Sequence, residues 1–219
     1  MRVLGIFAKQ PVPGAVKTRL ARQTTPERAS AVAAALLTDV LDRTSGVRAD
    51  RVIAFAPPQA LVWFTAVARG RFSLEPQADG DLGRRLECFI ERQIERGAQA
   101  VVVVGTDSPT MPVEFIEQAF ALLDTADLVV GPAGDGGYYL IGCGRRVPPI
   151  FQGITWSSAD VLAQTIHRLD GGAWRLALLP PWYDVDTLAD WQVLCGHIAA
   201  MRRAGIDPAV PHTEALILR

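Results

Sequence analysis

The chain has 219 residues, 49% of them hydrophobic and 21% charged, a composition typical of a globular domain that can bury a sizeable core. Its formal net charge of −1 disfavours a strongly basic nucleic-acid-binding protein. Its three cysteines form no CxxC pair, which argues against a disulfide framework or a zinc ribbon.

The N-terminal apolar run, residues 2–8, is too short for the apolar region and cleavage site of a signal peptide. No apolar run approaches the roughly 20 residues needed to span a bilayer. We therefore expect a cytoplasmic protein with no membrane span and no nucleic-acid partner.

Apolar periodicity, caps and Gly/Pro punctuation predict alternating strands and helices along the chain. In chain order, strands are predicted at 2–8, 51–56, 72–75, 100–104, 127–131, 138–142 and 174–179, and helices at 25–41, 59–69, 81–96, 113–123, 157–169 and 187–203. This alternation indicates an α/β sandwich with a mainly parallel sheet. Because no linker interrupts it, we predict one domain over residues 1–205 and an irregular tail over 206–219.

The loop after the first predicted strand carries an unusual set of cations. Of the 22 basic residues, 20 are Arg and two are Lys, and both lysines, Lys9 and Lys17, lie in this loop with Arg19. Compact ammonium groups suit phosphate oxygens, so the loop is a candidate for binding a triphosphate. It is neither a Walker A loop nor a GxGxxG loop, and a solvated basic turn is the alternative.

A second candidate loop spans residues 77–85. Gly80 and Gly83 would allow close approach by a flat ligand, and the amide of Gln77 could pair with a base edge. The alternative is a turn followed by a helix that Asp81 caps.

Acidic residues follow three more predicted strands. Asp107 comes just after the strongest apolar strand, Asp135 lies in a Gly-rich turn, and Asp184 and Asp186 share one face of an extended segment. Hard cations take oxygen ligands, so Asp107 and Asp186 could clamp one Mg²⁺ or Mn²⁺. A purely structural role stays open for the later pair, because Asp186 or Thr187 could cap the last helix.

The remaining polar and aromatic residues suggest no site of their own. The three histidines are scattered, and Ser108, Ser157 and Ser158 show no nucleophile elbow. Trp156 could stack on a base or a sugar, but core packing explains it equally well.

Several motifs, in this order, resemble a known bacterial family. They are F-x-K-x-P-x-P-G-x-V-K-T-R-L at 7–20, Q-x-x-G-x-L-G-x-R at 77–85, GTDSP at 105–109, DGGYYLIG at 135–142 and DVDT at 184–187. On these motifs the chain is identified as a member of DUF2064, the glycosyltransferase-like family also called radical-SAM/selenodomain-associated transferase 1. The resemblance covers about residues 1–200 and implies the GT-A-like three-layer fold of nucleotide-diphospho-sugar transferases.

The residue arguments above and the resemblance together give the expected site. The expected catalytic residues are Lys17, Arg19 and Asp107, and the expected metal ligands are Asp107, Asp186 and Asp184. The expected nucleotide-binding residues are Lys9, Pro13, Gly14, Lys17, Thr18, Arg19, Gln77, Gly80, Leu82, Gly83 and Thr106. The expected substrate-binding residues are Asp135, Gly136, Gly137, Tyr138 and Trp156.

Three functions remain open at this point. We expect above all a Mg²⁺- or Mn²⁺-dependent transfer of a nucleotidyl group from a nucleoside triphosphate to a phosphorylated small acceptor, with release of pyrophosphate. The second is a GT-A glycosyltransferase with a nucleotide-sugar donor, and the third a non-catalytic nucleotide-binding protein. A homodimer is an open expectation for the assembly.

Overall fold

Seven strands form one sheet, and their bounds follow the apolar runs of the sequence. A computed structural model describes residues 1–218 of the chain. The strands are β1 Arg2–Lys9, β2 Asp50–Ala56, β3 Ser73–Pro76, β4 Ala100–Val104, β5 Leu128–Pro132, β6 Tyr138–Cys143 and β7 Leu176–Leu178. Every predicted strand is therefore present, with shifts of a few residues at the ends.

Within residues 1–218, eight α-helices connect and flank the strands. They are α1 Thr18–Gln23, α2 Pro26–Thr44, α3 Leu61–Ala68, α4 Leu82–Glu95, α5 Glu114–Leu122, α6 Val161–His167, α7 Leu188–Arg203 and α8 Pro211–Ile217, with a 3₁₀ turn at Pro58–Ala60 before α3. Local chemistry sets several helix starts. Thr25 accepts a hydrogen bond from the Arg28 backbone N–H at 3.1 Å, and Pro26 occupies the first turn.

The strand order is β3-β2-β1-β4-β6-β5-β7. All neighbouring pairs are parallel except those made by β6, which runs antiparallel to β4 and β5. The prediction of a mainly parallel α/β sheet is confirmed. Strand β4 lies in the middle of the sheet and is buried at every residue, as its unbroken apolar sequence indicates.

Successive residues along the strands point to opposite faces of the sheet, so their side chains enter two separate cores. Leu4 and Ile6 face the core that contains apolar residues of α2, α3 and α5. Val3 faces the opposite core, which contains those of α4. A third cluster joins α1 and α2 to α7 and the segment before α8. The result is helix, sheet and helix in three layers, with α7 and α8 packed outside α2.

The structure corrects three expectations about the ends of elements. The tail, 206–219, was expected to be irregular because it contains prolines, but Pro211 instead starts helix α8, and its end at Arg219 lies outside the described residues. Ser157 does not begin a helix: its φ of +65° is left-handed, and α6 starts only at Val161. Helix α1 was not predicted, because its six residues are too few for a clear apolar period.

Across residues 1–218, no helix combines the length and the apolar character that crossing a membrane would require.

Candidate functional site

A cavity of about 480 Å³ lies where the carboxyl ends of β1, β4 and β5 meet. Its volume falls in the range usual for small-molecule sites, and its place is where open α/β sheets bind ligands. The lining residues are Phe7, Lys9, Ala15, Val16, Lys17, Arg19, Ala33, Leu82, Gly105, Thr106, Asp107, Asp135, Gly137, Tyr138, Tyr139, Trp156, Ser157, Ser158, Val161, Asp184 and Asp186.

The Lys17 ammonium joins the two aspartates that the sequence predicted to act together. Its Nζ lies 2.6 Å from Oδ1 of Asp107 and 3.0 Å from Oδ1 of Asp186, and its side chain is only 5% exposed. Burial by itself would lower the pKa of Lys17, but Asp107 and Asp186 outweigh that effect and raise the pKa above its ordinary value. The ammonium therefore stays charged throughout the physiological pH range.

Local backbone geometry brings the side chains of Lys17, Asp107 and Asp186 together. Lys17 precedes α1 in a left-handed conformation, with φ of 46°. Asp107 follows β4, and its carbonyl oxygen accepts a hydrogen bond from the Val185 backbone N–H at 2.9 Å. Val185 is fully buried in the third core, so Asp184 and Asp186 on either side of it both reach the cavity. The predicted shared face of Asp184 and Asp186 is confirmed.

Of the two residues expected as possible caps of the last helix, Thr187 caps it and Asp186 does not. Thr187 caps α7 by accepting from the Asp190 backbone N–H, and Asp190 in turn accepts from the backbone N–H of Thr187 and of Asp186. The cap therefore leaves the Asp186 carboxylate free, and this carboxylate contacts Lys17 instead.

Asp184 experiences a different environment from its two neighbours. Burial raises the pKa of Asp184 to about 7, and the nearby charges of Asp107 and Asp135 push it the same way. The Ser108 hydroxyl, which donates to Asp184 Oδ1, and the Lys17 ammonium offset part of this rise. Asp184 thus exchanges a proton near neutral pH.

The donor set at this point fits a hard divalent cation that phosphate oxygens help to bind. No three His, Cys, Asp or Glu side chains among residues 1–218 are grouped so that they could hold a metal ion by themselves. Asp107 and Asp186 nevertheless share one cationic nitrogen, are 42% and 34% exposed, and each keep a second oxygen that does not contact Lys17. Mg²⁺ is commonly bound by one or two carboxylates together with substrate phosphates and waters. The metal stays a prediction, with Asp107 and Asp186 as its protein ligands and Asp184 beside them.

The other two cations of the loop remain available to a ligand. Lys9 Nζ donates to the Ala15 carbonyl oxygen at 2.8 Å, which uses one of its three donors. Arg19 is half exposed and lies 3.7 Å from Asp186. Lys17 differs from both because it contacts two carboxylates. In this structure it therefore holds Asp107 and Asp186 together.

Five of the predicted nucleotide-binding residues line the cavity: Lys9, Lys17, Arg19, Leu82 and Thr106. Six others lie outside it: Pro13, Gly14, Thr18, Gln77, Gly80 and Gly83. Gln77 was expected to read a base, but its amide nitrogen donates to the Ala54 carbonyl and its amide oxygen accepts from Arg85. Both ends of that amide are thus used inside the protein.

Gly80 and Gly83 of the second loop have clear turning and packing roles. A Cβ on Gly83 would come within 2.3 Å of the Phe151 carbonyl oxygen and 2.7 Å of the Trp156 ring. Gly80 has a φ of +113°, just before Asp81 caps α4. The expected cap by Asp81 is confirmed, since it accepts from the Arg84 backbone N–H at 2.9 Å.

Most of the predicted substrate-binding residues form one wall of the cavity. Asp135, Gly137, Tyr138 and Trp156 line it, whereas Gly136 packs against the Ala159 backbone instead. Ser157 and Ser158 also line this wall, although sequence analysis assigned them no role. Their position directly after Trp156 is the one local signal that could have pointed to them.

Comparison with known proteins shows which family the chain matches. A model of the family described as an uncharacterized protein conserved in bacteria, DUF2064, matches residues 40–158. That range includes Asp107, Asp135 and Trp156, whereas Lys17 and Asp186 lie outside it.

Two relatives share about a third of their matched residues with this chain, and both are named as transferases. A 3-phospho-D-glycerate guanylyltransferase of Phenylobacterium zucineum (strain HLK1) is 32% identical over 137 residues, which are 60% of this chain and 62% of that protein. The match therefore spans less than two thirds of that relative. A crystal structure from Desulfovibrio desulfuricans G20, described as a nucleotide-diphospho-sugar transferase, is 32% identical with a TM-score of 0.87, and the alignment covers 99% of this chain and 96% of that one.

More distant structures share the fold alone. A cytidylyltransferase of Leptospira borgpetersenii is 12% identical, with a TM-score of 0.57, over 91% of this chain and 87% of that one. The mixed α/β fold with a seven-stranded, mostly parallel sheet matches that of its nucleotide-diphospho-sugar transferase neighbour.

Proposed function

This chain belongs to the bacterial family DUF2064 and to the nucleotide-diphospho-sugar transferases, and from that premise we propose that it is a metal-dependent nucleotidyltransferase. In this proposal a nucleoside triphosphate donates its nucleotidyl group to a phosphorylated small acceptor. The guanylyltransferase relative supports this reaction class, and GTP is the first donor to test.

One observation carries the proposal. A single buried ammonium lies 2.6 Å from Asp107 and 3.0 Å from Asp186 at the edge of the sheet where such folds bind ligands, and Lys9 and Arg19 line the same cavity. Carboxylates that can take a metal, next to cations that can take phosphate oxygens, are the two parts that phosphoryl chemistry requires.

In the proposed reaction, a phosphate oxygen of the acceptor attacks the α-phosphorus of the triphosphate. The bond from that phosphorus to the bridging oxygen of the β-phosphate breaks, and pyrophosphate leaves with the bonding electron pair. A phosphate monoester is already largely ionised at neutral pH, so the attack needs no general base. Lys9 and Arg19 would stabilise the charge that develops on the leaving pyrophosphate.

Asp107 and Asp186 would hold Mg²⁺, and Lys17 would keep these two carboxylates at the spacing that this requires. When bound, the metal would supply charge neutralisation at the phosphate oxygens. The protein's own contribution is positioning, which Lys17 provides through one buried contact to each aspartate.

A test of this proposal measures pyrophosphate. The protein is incubated with Mg²⁺, each of the four common ribonucleoside triphosphates and a panel of phosphate monoesters. We expect release that requires both nucleotide and acceptor and that falls by about 100-fold or more in Asp186→Asn. Asp124→Asn is the matched control, because Asp124 is exposed and pairs with Arg2 at the opposite end of β1. Absence of pyrophosphate with every combination would overturn the proposal.

The relative from Desulfovibrio desulfuricans favours a second candidate, transfer of a sugar from a nucleotide-sugar donor. The same aspartates would then face a diphosphate, and a nucleoside diphosphate would be released in place of pyrophosphate. Thermal-shift measurements with nucleotide-sugars and with triphosphates separate the two, because the true donor should stabilise the protein more. The cytoplasmic location and the homodimer stay predictions.

A further inference from the structure

Asp107 and Asp186 lie on two segments of the chain, neither of which belongs to a strand. Asp107 is in the loop after β4, residues 105–112, and Asp186 is in the segment before α7, residues 183–187. Lys17 contacts both carboxylates, but a lysine side chain is flexible and leaves the two backbones free to move apart. The spacing of the two carboxylates therefore depends on what joins the segments themselves.

Two contacts between the segments lie beside the carboxylates. The Val185 backbone N–H donates to the Asp107 carbonyl oxygen at 2.9 Å, and the Ser108 hydroxyl donates to Asp184. Along the chain, these contacts join 107 to 185 and 108 to 184. The two segments therefore run side by side in opposite directions.

A third contact continues this run at the Tyr183 hydroxyl. Its oxygen lies 3.0 Å from Oγ1 of Thr110, and Thr110 is only 3% exposed. Water therefore has little access to replace this hydrogen bond when it is lost. Neither residue lines the cavity, so this contact can affect a ligand only through the segments that carry the aspartates.

Helix α7 holds Tyr183 in its turn. The Tyr183 hydroxyl lies 2.7 Å from Nδ1 of His197 on α7, and the Tyr183 ring stacks on Trp182 with ring centroids 5.6 Å apart and planes inclined by 19°. At about 1.5 Å per residue, His197 lies about 15 Å along the helix from Thr187, the residue that caps it. Residues 183–187 can span at most about 14 Å, so the segment runs alongside α7 and is attached to it at both ends.

The Tyr183 hydroxyl can serve both of its neighbours at once. A phenol hydroxyl has one donor and accepts through its oxygen. It can donate to His197 while it accepts from the Thr110 hydroxyl, or accept from His197 while it donates to Thr110. Both arrangements complete the chain of hydrogen bonds, so the link persists whichever ring nitrogen of His197 carries the proton.

We infer that Tyr183 and His197 are positioning residues, which act through Thr110 to fix the spacing between the Asp107 and Asp186 carboxylates. Helix α7 thereby serves as the rigid element against which this spacing is set. The inference rests on the proposed function for its consequence in catalysis, whereas the positioning itself belongs to the free protein. None of the three residues was a candidate on sequence grounds, because the contacts join positions that are far apart in the chain.

The chain contains its own gauge of this spacing, because Lys17 and Lys9 are its only two lysines. Lys17 is 5% exposed and contacts both aspartates, whereas Lys9 is exposed. The full-length protein, in metal-free buffer without nucleotide, is treated with an amine-acetylating reagent, and mass spectrometry follows each lysine with time. We expect wild-type Lys17 to react at least about tenfold more slowly than Lys9.

Two variants break the link from either side. Tyr183→Phe removes the hydroxyl and keeps the ring that stacks on Trp182. We expect Lys17 to react at least about threefold faster relative to Lys9, because the aspartates no longer enclose its ammonium as closely. His197→Leu should give the same change. His197→Asn should stay within about 1.5-fold of wild type, since an Asn side chain can place a hydrogen-bonding atom near the position of Nδ1.

Thr213→Val is the control for a general loss of stability. It also removes a buried hydroxyl from a hydrogen bond, but on α8 and outside the cavity, so the ratio of the two labelling rates should not change. An unchanged ratio in Tyr183→Phe or in His197→Leu would overturn the inference. Equal reactivity of Lys9 and Lys17 in the wild type, or the same change in Thr213→Val, would overturn it as well.

The Mg²⁺ dependence of pyrophosphate release separates this inference from the proposed function. In Tyr183→Phe we expect the Mg²⁺ concentration for half-maximal release to rise about tenfold, with the rate at saturating Mg²⁺ within about threefold of wild type. An unchanged Mg²⁺ requirement in active Tyr183→Phe would overturn the inference. When no preparation releases pyrophosphate, wild type included, the proposed function fails, and the labelling rates still decide whether Tyr183 and His197 position the aspartates.

Discussion

Two regions of this molecule each contain a carboxylate that is largely shielded from water. The two carboxylates differ in their hydrogen-bond donors and in the charges near them. Asp39 on α2 is fully buried and accepts three hydrogen bonds: from the His212 and Thr213 backbone N–H groups at 3.0 and 2.8 Å and from the Thr213 hydroxyl at 2.6 Å. In the cavity, Asp184 accepts one side-chain hydrogen bond, from Ser108, and has the like charges of Asp107 and Asp135 nearby.

The difference separates a carboxylate that is fully hydrogen-bonded within the fold from carboxylates that are available to a ligand. The groups that donate to Asp39 belong to the first turn of α8, so this side chain links α8 to α2. The donors around Asp107, Asp184 and Asp186 are few for three carboxylates. One ammonium serves two of them, Arg19 lies 3.7 Å from Asp186, and Ser108 donates to Asp184. Unsatisfied negative charge at the open end of a sheet is unfavourable in the free protein and becomes favourable when a cation or a cationic complex binds.

The largest expected effect is on activity in the cavity. Asp107→Asn removes one of the two carboxylates that contact Lys17, and we expect the rate of pyrophosphate release to fall by about 100- to 1000-fold. The free energy of unfolding should change by less than about 1 kcal/mol, because the Lys17–Asp186 contact remains. Steady-state kinetics and urea unfolding of the same preparation check both. Activity within threefold of wild type would remove Asp107 from the site.

At Asp39 we expect a large loss of stability and no loss of activity, the reverse of the result at Asp107. Asp39→Ala leaves the donors of Thr213 and His212 without a partner, which should lower the free energy of unfolding by about 2–4 kcal/mol. Pyrophosphate release by the folded fraction should be unchanged, because Asp39 lies outside the cavity. Urea titration measures the stability change, with Asp124→Ala as the exposed control. A loss below about 0.5 kcal/mol would show that α8 is not held by this contact.

A pH series should distinguish Asp184 from ordinary carboxyls. Its folded-state pKa of about 7 lies above the value of about 4 expected when the chain is unfolded. Between these values the folded state keeps a proton that the unfolded state has released, so stability from this group is complete at low pH and is lost as pH rises through 7. Between pH 6 and 8 we expect the free energy of unfolding to fall by about 1 kcal/mol.

The measurement is urea unfolding at several pH values in metal-free buffer. Asp184→Asn cannot titrate and should lose this part of the slope, while Asp124→Asn should keep it. Parallel slopes for wild type and Asp184→Asn would contradict the raised pKa.

The smallest effects should come from two hydroxyl deletions that are chemically alike. Thr213→Val removes a donor from Asp39 where water has no access, and should cost about 1 kcal/mol of unfolding free energy. Ser108→Ala removes the donor from Asp184 next to the cavity, where water can replace it, and should cost about 0.5 kcal/mol or less. Thermal or urea unfolding compares them. If Ser108→Ala costs more than Thr213→Val, the distinction between the two regions is lost.

Much of the cavity could be predicted from local sequence because its residues follow strands. Lys9 ends β1, Asp107 comes just after β4, and Asp135 follows β5, so each was identified from the apolar run before it. A parallel sheet brings its carboxyl ends to one edge, and this rule is enough to predict that such residues converge.

Sequence reasoning missed the contacts of residues whose environment comes from distant parts of the chain. Gly83 looks like a ligand-binding glycine in isolation, but the Phe151 carbonyl and the Trp156 ring, about 70 positions later, explain why it has no side chain. Gln77 likewise looks free until β2 supplies the Ala54 carbonyl that its amide contacts. The tail was predicted to be irregular because of its prolines. The Asp39 carboxylate that caps α8 lies 174 positions away from Thr213, so no local pattern announces this helix.

By itself, the sequence determined the order of strands and helices, the two-faced burial of β4 and the identity of the charged loops, because apolar periodicity and capping act between near neighbours. Only the tertiary structure decided that Lys17 lies between Asp107 and Asp186, the second of them 169 positions away. The physical reason is that strand order brings loop ends together. The β3-β2-β1-β4-β6-β5-β7 order, with β6 between β4 and β5, leaves no local trace in the chain. The antiparallel pairing of β5 with β6 does leave one, because residues 133–137 are too few for a parallel crossover.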